Sequence, residues 1–235
     1  MNMSCKLQAQ TAWASEYQKQ GIPSSFRKEP TGALVEFMNW LEEKKIQGTF
    51  AADLGCGRGR NSFYLASKGF SVIALDLLQE NVDTIHKEAK LSHLPIQAFA
   101  QDVSTNWPIE PNSLDLAIDI FCYKHIVNKQ AQTTYRQECW KALKPDGFYF
   151  LSLASIDDGF YGPLLQNSPC PEEKLIIDPH AHIASYLYSL ADLSEEFSDR
   201  FTLIKASENT SQSPMHGKEY TRKVLNCIWQ KRAEC

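Results

Sequence analysis

The chain has 235 residues, of which 43% are hydrophobic and 22% charged, and its formal net charge is −4. A chain of that size buries one large core, so residues 1–235 are expected to form a single domain, and the acidic balance disfavours a nucleic-acid partner because it gives no chain-wide attraction for phosphate polymers. No apolar run is long enough to span a bilayer and residues 1–8 lack a signal-peptide core, so the expectation is a cytoplasmic protein without membrane contact. Its seven cysteines are odd in number, scattered, and contain no C-x-x-C pair, which speaks against a disulfide framework and against zinc.

Residues 7–20 suit a helix, which Ile22-Pro23-Ser24-Ser25-Phe26-Arg27 breaks with turn and extended chemistry. Residues 31–45 give a second helix, with Leu34, Met38 and Leu41 on one face beside Val35. A hydrophobic strand then ends at Asp53, and Gly55, Gly57 and Gly59 alternate before a helix over residues 61–68. Alternating glycines let the strand turn sharply and bring backbone N–H groups against a ligand that a side chain would repel. The helix N-terminus behind them favours negative charge. Where a dinucleotide fingerprint needs a small residue stands Arg60, which argues against NAD or FAD.

Strand 70–75 ends at Asp76, about 20 residues beyond the glycines, where a carboxylate can accept hydrogen bonds from a ribose diol. Helix 79–91 leads to strand 96–100, which ends at Gln101-Asp102-Val103, a carboxylate and an apolar surface suited to a purine. A fourth strand, 114–120, follows a turn at Pro111-Asn112-Ser113, and helix 129–143 stops at Lys144-Pro145-Asp146-Gly147 before strand 148–153. Residues 156–183 are poorly periodic and rich in proline, the pattern of a lid or substrate loop. Ser189 can cap a helix carrying Leu190, Leu193 and Phe197, and residues 201–204 and 224–229 read as two final strands.

The run Asp53-Leu54-Gly55-Cys56-Gly57-Arg58-Gly59, then Asp76, then Asp102, resembles the class I S-adenosylmethionine (SAM) dependent methyltransferases over roughly residues 48–155. Gly59-Arg60-Asn61-Ser62-Phe63-Tyr64-Leu65-Ala66 with Gly69-Phe70 is further similar to the tellurite-resistance and thiopurine-type branch. Leu143-Lys144-Pro145-Asp146-Gly147 resembles the segment before the fifth strand of the family, with Asp146 in place of a glycine. The resemblance implies an α/β fold: a Rossmann-like three-layer sandwich around a seven-stranded, mostly parallel sheet with an antiparallel last strand. Residues 1–47 would be an N-terminal helical cap, 48–155 the cofactor-binding core, 156–183 the lid or substrate loop, and 184–235 a C-terminal helix and strands.

The cofactor implied is SAM, with S-adenosylhomocysteine as product. Gly55, Gly57 and Gly59 would approach its methionine part, with Cys56 and Asn61 in the same loop; Asp53 would hold the loop or the amino group. Asp76 with Leu77 would hold the ribose, Asp102 with Val103 would frame the adenine, and Ile120 would close the site at the fourth strand. Arg27 suits bidentate recognition of the methionine carboxylate. The acceptor should lie over the ends of the fourth and fifth strands, where His125 is the candidate general base and Tyr17, Phe160 and Tyr161 can line its pocket.

No N-P-P-Y or D-P-P-Y segment follows the fourth strand, and the Pro-Cys pair at Pro169-Cys170 falls after the fifth, so the nucleic-acid subclasses are disfavoured and a small-molecule acceptor is expected. The acceptor atom, sulfur, oxygen or nitrogen, is left open by the sequence, as is the oligomeric state. A protein acceptor and a non-catalytic SAM-binding module are the alternatives. Asp178, His180 and His182 match no expected metal spacing, and no metal is expected.

Overall fold

The structure, a computed structural model, describes residues 3–232, with side chains from Gln8 onward. In chain order it runs α1 (Met3–Lys19), α2 (Pro23–Phe26), α3 (Gly32–Glu43), β1 (Phe50–Leu54), α4 (Arg60–Ser67), β2 (Ser71–Asp76), α5 (Gln79–Ser92), β3 (Ile96–Ala100), β4 (Leu114–Ile120), α6 (Lys129–Ala142) and β5 (Leu143–Ala154). After these come α7 (Tyr161–Gln166), β6 (Leu175–Ile177), β7 (Ala184–Tyr186), α8 (Leu190–Phe197), β8 (Phe201–Met215) and β9 (Lys218–Lys231).

The main sheet has seven strands in the order β3-β2-β1-β4-β5-β9-β8. The first five pair in parallel, and β9, the last strand in the chain, lies antiparallel between β5 and β8. Successive side chains on a strand point to opposite faces, and the two cores follow that alternation. Ala51, Val72, Ala74, Leu116 and Ile118 pack against Leu34, Phe37 and Met38 of α3 and Val82 and Ile85 of α5. Ala52, Leu54, Leu75 and Ala117 face the opposite way, toward Tyr135 and Cys139 of α6 and Leu193 and Phe197 of α8. Burial on both faces is why these strands read as near-continuous apolar runs. Because the chain winds outward from β1 through β2 to β3 and then returns to β4 on the other side, a crevice opens at the carboxyl ends of β1 and β4.

Four expectations are corrected. Residues 156–183 are not an irregular loop: Tyr161–Gln166 form α7, and β6 pairs with β7 in a separate two-stranded sheet. Lys144–Gly147 do not stop the chain before a short strand; β5 starts at Leu143 and carries them within it, with Asp146 at φ 62° and a register shift opposite Leu114–Leu116. The two short final strands are a hairpin of 15 and 14 residues, hidden because residues 205–223 mostly pair with each other and carry mainly polar, exposed or half-exposed side chains with no regular apolar alternation. Pro23 also starts the short helix α2, in a stretch read as turn and extended. The hairpin tip folds back on the N-terminal segment, where the His216 N–H donates to the Gly21 carbonyl at 2.8 Å. A third apolar cluster, with Ile22, Phe160, Tyr161, Leu165 and Met215, binds α7 and the hairpin tip over the carboxyl ends of the strands.

Candidate active site

The glycine turn is held from below by two strand ends. Gly55 and Cys56 both donate their N–H to the Leu75 carbonyl (2.8 and 3.0 Å), and Gly57 donates to Asp76 Oδ2 at 2.8 Å. Gly55 and Gly57 have φ of 72° and 57°, which a side chain at either position would strain. A Cβ at Gly57 would also collide with the Tyr17 hydroxyl, and one at Gly55 with Cys122. Asp53 is buried beneath the turn, where Oδ2 accepts from the Ser62 hydroxyl at 2.6 Å and so ties α4 to β1. Burial, reinforced by Asp119 and Asp76, pushes its carboxyl up to about 7 against the pull of Ser62.

Asp76 is 8% exposed, and its Oδ1 accepts from the Leu78 N–H (2.9 Å) and the Asn81 amide (3.0 Å) in addition to the Gly57 bond on Oδ2. Burial raises its pKa despite those three donors. Asp102 closes a tight turn, accepting the Ser104 N–H and hydroxyl at 3.0 and 2.6 Å. Asn61 accepts from the Thr31 N–H at 3.0 Å, fixing the start of α3 against the glycine turn.

Three cavities follow the strand ends. The first, about 130 Å³, is lined by Asp76, Leu77, Asp102, Val103, Ile120 and His125 among others. The second, about 230 Å³, lies on the other side of Tyr17 and is lined by Arg27, Gly55, Cys56, Gly57, Asn61 and Ile120. Tyr17 lines both and so stands between them. Asp53 and Gly59 line neither; Gly59 packs toward Ile85 and Phe63, where a Cβ would collide. The third cavity, about 570 Å³, shares Trp13, Ser24, Phe121 and His125 with the first, and its walls include Tyr161 of α7 and Ser213 and Asn226 of the hairpin. Phe160 is buried in the cluster behind that wall.

The junction between the first and third cavities is the turn after β4. Phe121 adopts φ 67°, a strained conformation for a side chain of its size that costs on the order of 1–3 kcal/mol. It is held there by a 2.8 Å bond from its N–H to the Ser152 carbonyl and by Asp119, which accepts the Cys122 and Tyr123 N–H groups at 2.9 and 3.1 Å and the Tyr135 hydroxyl at 2.6 Å. His125 Nδ1 lies 3.0 Å from the Ala184 carbonyl and 3.1 Å from the Ser185 hydroxyl, and Trp13 packs edge-on at 5.0 Å. A carbonyl can only accept, so Nδ1 carries the proton and Nε2 keeps its lone pair. Burial, with Lys124 adding to it, pushes His125 down to about 3.

Arg27 lines the second and third cavities, its Nη2 donating to the Ser213 hydroxyl at 3.0 Å. Sequence reasoning passed over several residues here. Trp13, Asn226 and Ser213 carry no local signal, and neither does Lys124, whose ammonium is buried, without a hydrogen-bond partner among the described residues, 3.5 Å above the centre of the Tyr161 ring. Asp178 accepts the His180 and Ala181 N–H groups and pairs with His216 Nε2 at 2.8 Å, so it organises a loop and the hairpin tip. Among the described residues no group of three or more histidines, cysteines and carboxylates is placed to hold a metal ion, and no helix is long and apolar enough to cross a membrane.

The sequence pattern of the methyltransferase-domain family matches residues 51–147. Over 101 residues the chain is 34% identical to a ubiquinone biosynthesis O-methyltransferase of Rickettsia akari (strain Hartford), which is 43% of this chain and 38% of that protein. The chain thus spans less than half the length of that relative. Among solved structures it is similar to the 1,6-didemethyltoxoflavin-N1-methyltransferase of Burkholderia thailandensis, bound to 1,6-didemethyltoxoflavin and S-adenosylhomocysteine, with a TM-score of 0.69, 20% identity, and coverage of 98% of this chain and 89% of that one. It also resembles TehB of Haemophilus influenzae, with a TM-score of 0.61, 18% identity, and coverage of 84% and 62%. These likenesses extend the shared fold beyond residues 51–147, the segment that matches the methyltransferase-domain pattern.

Proposed function

We propose that the chain transfers the methyl group of SAM to a small-molecule acceptor held in the 570 Å³ cavity. The observation that carries this reading is the shared wall at Phe121 and His125, which joins a cavity lined by Asp76, Asp102 and Val103 to one large enough for a small molecule. In this reading Asp76 with Leu77 holds the ribose, Asp102 with Val103 the adenine, and Gly55, Cys56, Gly57 and Asn61 the methionine part, whose carboxylate meets Arg27. Asp53 and Gly59 act from behind, by holding the turn. Residues 1–47 form the cap through Trp13 and Tyr17, and α7 and the hairpin wall the acceptor side.

Bound in this way, SAM supplies a methyl carbon on a sulfonium, so an acceptor lone pair forms the new bond while the carbon–sulfur pair stays with sulfur as a neutral thioether. The chain contributes in-line placement and exclusion of water, worth up to about 7–11 kcal/mol in favourable cases. His125, with its proton fixed on Nδ1 and a basicity too low to store a second one near neutrality, offers Nε2 as a hydrogen-bond acceptor that orients the acceptor's X–H group. The acceptor's proton therefore stays on the X–H group that Nε2 orients until the new bond forms, and then leaves to solvent. The test is calorimetric titration with SAM and S-adenosylhomocysteine, followed by labelled methyl transfer to thiols, phenols and amines. Micromolar binding of both and transfer to any acceptor support the proposal. Binding without transfer to any acceptor makes the chain a SAM-binding module, and no binding by folded protein overturns the cofactor site.

A further inference from the structure

The walls of the large cavity are rich in hydrogen-bond donors that the protein itself does not satisfy. Asn226 is 8% exposed; its Oδ1 accepts from the Ser152 hydroxyl at 2.8 Å, which leaves its amide NH2 buried with no partner on the cavity wall. A buried donor without an acceptor costs about 1–3 kcal/mol, so such a group is expected where something else completes it. Tyr161 presents a hydroxyl that makes no hydrogen bond among the described residues, on a ring held between the Lys124 ammonium at 3.5 Å and the Arg222 guanidinium at 5.3 Å. Arg222 is neutralised by Asp158 at 2.8 Å.

Arg60 is not. It lines both this cavity and the second one, half-buried, and makes no hydrogen bond or close ion pair among the described residues; burial and the neighbouring Arg27 guanidinium lower its pKa against the pull of Asp53, Tyr17 and Glu29. The cavity's carboxylates, Glu29 and Glu36, are exposed. An apolar acceptor would leave all of these donors unpaired, whereas an anion with a second polar atom would complete them.

We infer that the methyl acceptor is a small hydrophilic carboxylic acid, with its carboxylate on the Arg60 guanidinium, a second accepting atom on the Asn226 amide, and the methyl-accepting atom toward Phe121 and His125. This rests on the methyl-transfer reading, since it takes the large cavity as the acceptor's.

The experiment uses protein saturated with S-adenosylhomocysteine and titrates matched acids and amides: 4-hydroxybenzoate and its amide, 3,4-dihydroxybenzoate and its amide, 3-mercaptopropionate and its amide. At least one acid is expected to bind tenfold or more tightly than its amide. Arg60→Gln should erase that difference and Arg60→Lys retain part of it, with the affinity for S-adenosylhomocysteine unchanged within twofold in both. Asn226→Asp, which adds a negative charge to the wall, should weaken the acid tenfold and spare the amide. Equal binding of acid and amide, no binding of any acid, or a tenfold loss of S-adenosylhomocysteine affinity in Arg60→Gln overturns the inference, the last because the guanidinium would then serve the cofactor. Failure of the wild-type protein to bind S-adenosylhomocysteine overturns the methyl-transfer reading itself, and this inference with it.

Discussion

Replacing Asp76 with alanine separates the loop-holding bonds of its carboxylate from the ribose contact proposed for it. An ionised carboxylate offers about four acceptor positions, and Gly57, Leu78 and Asn81 occupy three of them. About one position is left for a ribose hydroxyl, fewer than a carboxylate free to take both would have. One charge-assisted hydrogen bond contributes about 1.5–3 kcal/mol, so Asp76→Ala should weaken S-adenosylhomocysteine binding by roughly 10- to 150-fold. The mutation also strands the buried Gly57 N–H; at about 2 kcal/mol, that should lower Tm by about 4–8 °C for a domain of this size. Calorimetric titration with S-adenosylhomocysteine and with its 2′,3′-dideoxy analogue tells the two effects apart. Wild type should prefer the natural ligand by the full factor, and Asp76→Ala should bind both alike. A mutant that loses the same factor for both ligands refutes the ribose contact and leaves Asp76 as a loop anchor alone.

Asp53 titrates at about 7 in the folded protein against 3.8 unfolded, so the native state binds the proton more tightly and this group's stabilisation fades as pH rises from about 4 to 7. Asp53→Asn should therefore be more stable than wild type at pH 8, with the gap narrowing by pH 5 in scanning calorimetry; a gap independent of pH would contradict the assignment. Lys124 is pushed by burial from 10.5 to about 7, the opposite sign: the unfolded chain holds the proton more tightly, and stability grows as pH climbs from about 7 toward 10. Lys124→Met should raise Tm at pH 7 and flatten that slope, and a lower Tm at pH 7 would show that the buried ammonium stabilises the fold. For His125→Gln, turnover should fall by about tenfold for one lost orienting hydrogen bond, while the pH–rate profile between pH 5 and 9 keeps its shape. A limb near pH 6.5 that disappears in the variant would show that His125 titrates during catalysis.

The parts of this protein that could be read from its sequence are those whose chemistry is local. The strand ends at Asp53, Asp76 and Ile120 and the turn through Gly55 and Gly57 announce themselves because a buried parallel strand, a turn with positive φ and a strand-end carboxylate each leave a mark within a few residues. The hairpin left none between Ile204 and Val224, since polar residues that pair mainly with one another need no apolar alternation. Lys124 packs its ammonium over Tyr161 and feels the charges of Arg222, Asp158 and Asp178, the nearest of them over 30 positions along the chain. The same division separates the two halves of the site. The proposed cofactor side is built from consecutive strand ends within residues 51–147, the segment that the methyltransferase-domain pattern matches. Trp13, Tyr161, Ser213 and Asn226, which wall the large cavity, all lie outside it. Nothing links those four positions except the packing of the cap, α7 and the hairpin over the sheet, so the acceptor's chemistry can change by repacking that cover while the glycine turn and its carboxylates stay fixed. Acceptor choice therefore has to be argued from the donors that line the assembled cavity, where Arg60 from the start of α4 meets Asn226 from the hairpin, and not from the glycine motif alone.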